Sequence, residues 1–154
     1  MRKKIFYADV EKETLSNNNY RKVVFTGKSQ QFVYMSLKPL DTIHMEVHPD
    51  HDQFLRIEKG TGVAIVDGIK YKLADGIGII IPAGTAHKII NSSDSEDLKL
   101  YSIYSPPEHP PNHIDKTNPD KSKKKSRTKT NSKLKEKYLK YKEKYLTLKN
   151  QIIN

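Results

Sequence analysis

The 154-residue sequence contains no cysteine. Without thiols neither a disulfide framework nor a thiolate metal cluster can form, and redox chemistry cannot pass through a cysteine. Nor does any run of ~18 apolar residues occur, so no membrane-spanning helix is expected. The charged start, MRKKIFYADVEKE, is not followed by an apolar stretch of signal-peptide length. These absences point to a soluble cytoplasmic protein with no membrane partner. The length suits one compact domain with an appendage rather than two ordinary domains.

The body also lacks net charge. The formal charge is +10, but residues 1–115 hold 14 Lys/Arg against 15 Asp/Glu, which is −1, and residues 116–154 hold 14 against 3, which is +11. Any attraction to an acidic partner belongs to the tail.

What the body does contain is short β-branched and aromatic segments separated by turn residues, the pattern of an all-β sandwich or barrel. The candidate strands are YRKVVFT, QQFVYMSL, TIHMEVH, QFLRIEK, TGVAIV, IKYKL, GIIIP, AHKIIN and LKLYSIY, between Tyr20 and Tyr104. Asp67-Gly68 marks a two-residue hairpin, because a primed turn needs positive φ at both central positions. After it Ile69, Tyr71 and Leu73 alternate with Lys70 and Lys72, which predicts one dry and one wet face.

Residues 105–120 hold five prolines, which lack the amide donor a sheet interior needs, so the segment should cross the surface as an extended strap with His109 and His113 exposed. KSKKKSRTKTNSK, which follows, has almost nothing apolar to bury and is expected to be disordered. Leu134, Tyr138, Tyr141, Tyr145, Leu148 and Ile152 then recur at spacings of four and three, a heptad stripe suited to an amphipathic helix or coiled coil. The expected organisation is a barrel over residues 5–115, a basic linker over 116–132 and a helix over 133–152.

The chemistry concentrates in HMEVHPDHDQF, residues 44–54. On a strand Glu46 and His48 share one face, with His44 next in line and Met45 and Val47 opposite. Beyond the turn, Gln53, Leu55 and Ile57 share a face. A carboxylate buried beside a histidine calls either for a cation or for a dense hydrogen-bond network. Spacing alone leaves that choice open, and leaves open a solvent-facing reading as well.

A second stretch, GIGIIIPAGTAHKIIN, places Gly76, Pro82, Gly84, His87 and Asn91 at the spacing of the second motif of the cupin superfamily, and the sequence resembles that family at every fixed position. The first cupin motif asks for His, one residue, His, three or four residues, Glu, six residues and Gly. Counting back from Gly60 sets Gln53 at the Glu position, His48 at the second His and Glu46 at the first, so two of the motif's ligands are replaced. Glu46-Val47-His48, Asp52-Gln53-Phe54, Arg56-Ile57-Glu58 and the Tyr104–Pro111 ending are similar to a small single-domain bacterial cupin group often labelled mannose-6-phosphate-isomerase-like, a label that rests on fold analogy.

The resemblance implies a double-stranded β-helix, or jelly-roll barrel. It implies a divalent transition metal (iron, manganese, nickel or zinc) held at the barrel mouth by Glu46, His48, Gln53 and His87, with His44 and His51 as reserve ligands or hydrogen-bond supports. It further implies a small-molecule ligand and a homodimer, since cupins commonly pair, but no particular reaction and no catalytic residue. Asn91 reads as a turn-fixing residue rather than a substrate contact. The Lys-Tyr-Leu-Lys-Tyr-Lys run resembles tails of mimivirus-type giant virus proteins, which would set the protein in host cytoplasm or a virion. Two alternatives stand beside a metal-dependent activity: a non-catalytic module that binds a small molecule, and an adaptor whose basic tail binds other proteins or, weakly and without sequence preference, nucleic acid.

Overall fold

The computed structural model describes residues 4–123 and 138–143. All nine expected strands form: β1 (Arg21–Thr26), β2 (Gln31–Leu37), β3 (Thr42–Glu46), β4 (Asp52–Lys59), β5 (Gly62–Val66), β6 (Ile69–Leu73), β7 (Gly78–Ile81), β8 (His87–Asn91) and β9 (Leu98–Ser105). Between residues 4 and 118 two elements lie outside that reading. Helix α1 (Val10–Ser16) starts at Asp9, whose side chain accepts from the Lys12 amide, with Glu11 and Glu13 in its first turn where the helix dipole favours them. It is too short to show a period. The two-residue strand β10 (Ile114–Asp115) pairs with β1.

The strands form two antiparallel sheets, one in the order β10-β1-β2-β9-β4-β7 and the other β3-β8-β5-β6. Alternate residues face inward: Val33, Met35 and Leu37 on β2, Leu55 and Ile57 on β4, Leu98 and Leu100 on β9, facing Ile43, Ala64 and Ile89 of the smaller sheet. Along three adjacent strands the apolar row ends in buried polar side chains. Gln31 on β2 and Gln53 on β4 both stand opposite Tyr104 on β9, and Ser102 precedes it on the same face. The core therefore closes one end of the barrel and leaves a polar lining at the other.

The hairpin is as expected: Asp67 and Gly68 have φ of 47° and 82°, and Val66 pairs with Ile69. The dry face of β6 is not. Only Leu73 is buried, while Ile69 and Tyr71 are 59% and 44% exposed, because β6 is the edge of the smaller sheet and only its last residue reaches the core. Gly60 has a packing reason. Its φ is +96°, and an added Cβ would lie 2.6 Å from the Asp97 carbonyl oxygen, so the first-motif glycine lets two backbones meet.

The strap is fastened rather than loose. Buried Gln31 accepts from the amides of Glu108 (3.3 Å) and His109 (2.8 Å) and donates to the His109 carbonyl (2.7 Å). His109 and His113, expected to be exposed, are half-buried as a result. The chain remains tied to this unit through Asn118, whose buried amide donates to Asp41 and to the Thr42 carbonyl.

Met1–Asn118 make one compact unit and Pro119–Asn154 a second. In the second, α2 (Pro119–Lys123) and residues 138–143 are helical, so the basic run expected to be disordered begins within a helix, Pro119 standing at its first position where its missing amide is not needed. The remainder of the expected linker and heptad helix lies outside the described residues. Among the described residues no helix is long and apolar enough to cross a membrane.

Candidate metal centre

The sequence pattern sets Glu46 and His48 on one strand with His44 next in line, but β3 ends at Glu46 and is irregular before it. Ile43 stands opposite Ile89 and Glu46 opposite His87, so His44 and Met45 together oppose the single residue Lys88. That extra residue is a β-bulge, which resets the alternation. Ile43 and Glu46, three apart, consequently face the same way, Ile43 into the core beside Ile89 and Glu46 beside His87. His44 drops out of the row.

His48 comes from the β3–β4 loop instead of a strand. Its carbonyl accepts from the Gly84 amide at 2.7 Å, and the Asp52 carboxylate accepts from the Ala83 amide at 2.9 Å. These bonds hold the loop of His48 against the Pro82–Thr85 turn that launches His87, so the two motifs meet. Glu46, His48 and His87 each present a donor atom within 4.8 Å of the others. His48 Nε2 lies 3.4 Å from Glu46 Oε2, and the His48 and His87 ring centroids are 5.3 Å apart.

The surroundings settle which atoms are available. His87 Nδ1 lies 3.0 Å from the Thr85 carbonyl oxygen, which can only accept, so Nδ1 carries the proton and Nε2 presents a lone pair. Burial pushes His87 down, which favours the neutral ring. Burial alone would raise Glu46, but the adjacent His48 and the charges of Arg21 and His87 outweigh it and hold the carboxyl below its usual range. Glu46 in turn raises His48.

Gln53 is fixed by the same logic. Its Nε2 donates to Ser102 Oγ (3.1 Å) and to the Tyr104 hydroxyl (3.0 Å), while Ser102 spends its own proton on the Phe54 carbonyl (3.1 Å). Ser102 is therefore an acceptor toward Gln53, which assigns the amide and leaves Oε1 unpaired. Burial raises the Tyr104 phenol far above its usual range, so it stays neutral. Gln53 Oε1, His48 Nε2 and His87 Nε2 are all buried without a hydrogen-bond partner.

The cupin domain family matches residues 33–104. Over 151 residues the chain is 47% identical to an uncharacterized protein of Acanthamoeba polyphaga mimivirus, covering 96% of this chain and 92% of that protein. The chain belongs to the cupin family. It is also 41% identical over 123 residues to the uncharacterized protein YrkC of Bacillus subtilis (strain 168), covering 76% of this chain and 66% of YrkC. The crystal structure of BH2720 from Bacillus halodurans superposes with a TM-score of 0.72 at 37% identity, covering 74% of this chain and 90% of that one.

Of the residues that the resemblance set at the motif positions, Glu46, His48 and His87 come together in this cupin, and Gln53 is buried beside Tyr104. His44 sits in the bulge and joins neither cluster of ligating groups among the described residues. His51 does come close: its Nε2 contacts Glu108 Oε2, its ring stacks 5.4 Å from that of His48, and His48 Nδ1 lies 3.7 Å from Glu108 Oε1.

Sequence reasoning did not bring three residues here: it left Glu108 and Arg21 without a role and expected His109 to be exposed. Glu108 and His109 arrive on the strap, whose destination no local pattern records. Arg21 arrives from β1 on the inward face it shares with Val23, a parity that was readable. His109 packs edge-on against Tyr104 at 5.0 Å.

Burial, with the charge of Arg21 acting the same way, pushes His109 down to about 4 from its ordinary 6.5. Between those values the unfolded chain takes up a proton that the folded one refuses, so this contribution to stability is complete above the higher value and is lost as pH falls toward the lower. Urea midpoints measured across that window should fall less steeply for His109→Gln than for the wild type. Parallel curves would assign the acid sensitivity to other groups.

Proposed function

We propose that this cupin holds a divalent transition metal between Glu46, His48, His87 and Gln53 Oε1 and presents it to a small polar molecule at the barrel mouth. The observation that carries this reading is that His87 Nε2 and Gln53 Oε1 are buried without a hydrogen-bond partner while His48 Nε2, also without a hydrogen bond, has only the Glu46 carboxylate 3.4 Å away, and that Glu46, His48 and His87 converge within 4.8 Å. Leaving such atoms without partners is costly, and a cation satisfies all of them together. Two nitrogen and two oxygen donors suit iron(II), manganese, nickel or zinc. When bound, the metal supplies Lewis-acid polarisation of a ligand oxygen.

The chain's own contribution is orientation. The Thr85 carbonyl sets the tautomer of His87, Ser102 and Tyr104 hold the Gln53 amide nitrogen and leave its oxygen without a hydrogen bond, and Glu46 faces His48 at 3.4 Å. No residue is assigned as a proton donor or acceptor to substrate, so binding without turnover is included in the reading. Elemental analysis of protein prepared without chelator should find about one metal per chain; a substoichiometric trace would remove the basis of the proposal.

Gln53→Glu tests the amide. A carboxylate adds charge toward the metal but removes both N–H donors, and Ser102 can answer it only by giving up the Phe54 carbonyl. Competition against a chromophoric chelator should show tighter metal binding. The metal-free variant should unfold with a loss of roughly 1–3 kcal/mol, the usual cost of a stranded buried polar group. Unchanged affinity would mean that Gln53 does not face the ion.

A further inference from the structure

A metal can satisfy only the acceptors at this end of the barrel, and one donor there remains. Arg21 extends inward from β1, where it stands opposite Met35 on one side and Asp115 on the other. Its guanidinium donates through one terminal nitrogen to Asp115 Oδ2 at 2.8 Å, with the two side chains 12% and 18% exposed. Asp115 is held from its other side by His113 Nε2 at 3.1 Å. That pairing uses one edge of the guanidinium. The Arg21 Nε is buried and has no partner, and neither has His109 Nε2.

A chain of contacts joins Arg21 to the proposed metal centre: Asp115 binds Arg21 and His113, the His113 ring lies 6.5 Å from that of His109, His109 packs against Tyr104 at 5.0 Å, and Tyr104 lies edge-on to His48 at 5.8 Å. Yet Arg21 forms no ion pair with Glu46 among the described residues. An N–H of a guanidinium can donate but never accept, so no cation can complete it. What completes it is an oxygen acceptor, and a planar carboxylate matches a guanidinium edge best.

We infer that the barrel mouth takes a small carboxylate bearing a second oxygen, a hydroxy or oxo acid, with its carboxylate anchored on Arg21 Nε beside His109 and its second oxygen directed toward the metal. The anchor stands on the unpaired donor, while the orientation of the second oxygen rests on the metal reading above. Charge count favours a carboxylate over a phosphate. The carboxylates of Asp115, bonded to Arg21, and of Glu46 already act on the guanidinium, so a dianion would meet more repulsion than a monoanion.

The test is calorimetric titration of zinc-loaded protein with glycolate and pyruvate, with glycolamide and inorganic phosphate as controls, and metal content measured on every sample. Glycolate or pyruvate should bind at least ~10-fold more tightly than glycolamide or phosphate. Arg21→Gln should abolish that preference while keeping its metal, and Arg21→Lys, which keeps the charge but not the Nε donor, should lose most of it. Asp115→Asn, which keeps an acceptor for Arg21, should retain the preference. If Arg21 serves only to pair with Asp115, Arg21→Gln and Asp115→Asn will both lower the unfolding temperature and carboxylate affinity will not change, which overturns the anchor. Carboxylate binding no tighter than amide binding overturns it too, and phosphate binding most tightly overturns the carboxylate class. Protein that takes up no zinc yet still prefers glycolate through Arg21 would sink the metal reading and leave the anchor standing.

Discussion

Alanine at position 87 should yield a folded protein that purifies without metal, whereas alanine at position 44 should leave metal content unchanged. Both variants remove one histidine from the same pair of adjacent strands, but the bulge at His44 and Met45 separates their roles. His87 is 1% exposed, its Nδ1 is committed to the Thr85 carbonyl, and its Nε2 has no partner within the protein. Removing it deletes a donor that Glu46 and His48 cannot replace. Disturbing merely the supports of a metal site commonly costs 10- to 100-fold in affinity, so losing a ligand should cost at least about 100-fold.

His44 contributes no atom to either cluster of ligating groups among the described residues, and its loss should fall within measurement error. Elemental analysis and chelator competition on the two variants read this directly. If the wild type and His87→Ala are equally empty, the barrel is no metal protein. If His44→Ala empties it as well, the bulge has been misassigned.

Asn91→Ala should be among the most destabilising single substitutions in the barrel. Asn91 is fully buried at the far end of β8 from His87. Its side-chain amide donates to the carbonyls of Leu37 (3.0 Å), Lys38 (3.0 Å) and Glu96 (2.8 Å), and its oxygen accepts from the Ser93 amide (2.9 Å). One side chain thus fastens the loop after β2 to the loop before β9. Alanine strands these backbone groups where water reaches them poorly, at about 1 kcal/mol or more each, for a total of roughly 3 kcal/mol.

In a unit of this size that corresponds to a fall in melting temperature of roughly 10 °C. Asn91→Asp should be no better, since it would turn a carboxylate toward three carbonyl oxygens. Metal affinity of the protein that remains folded should match the wild type, because no ligand depends on this end of β8. A small shift on thermal unfolding, or a selective loss of metal, would show that Asn91 serves the site rather than the frame.

These two residues also mark how far the pattern in the chain could be read. His87 and Asn91 belong to one spaced motif, and the four hydrogen bonds of the Asn91 side chain agree with the expectation that Asn91 fixes a turn, while His87 stands with the group that could hold a metal. All nine strands were legible because each carries its own local record, a run of β-branched or aromatic residues closed by turn residues. The Asp67-Gly68 hairpin was legible because its backbone demand is met within two residues. Helix α1 was not, being shorter than the period that would reveal it.

That Glu46, His48, Gln53 and His87 belong together was implied by the resemblance of the two stretches to the cupin motifs, and that much was legible in the amino-acid order. Only the tertiary structure decided how they meet. Alternation along β3 would have kept His44 in the row, but the bulge depends on pairing with β8, which no stretch of β3 encodes alone. The direction of the Gln53 oxygen depends on where Ser102, 49 residues away, sends its proton. Glu108, His109 and Arg21 reach the mouth through the fastening of the strap to Gln31 and of β10 to β1, contacts between residues distant in the chain. Local periodicity records which way a side chain faces, whereas the partner it meets there is set by the packing of the whole barrel.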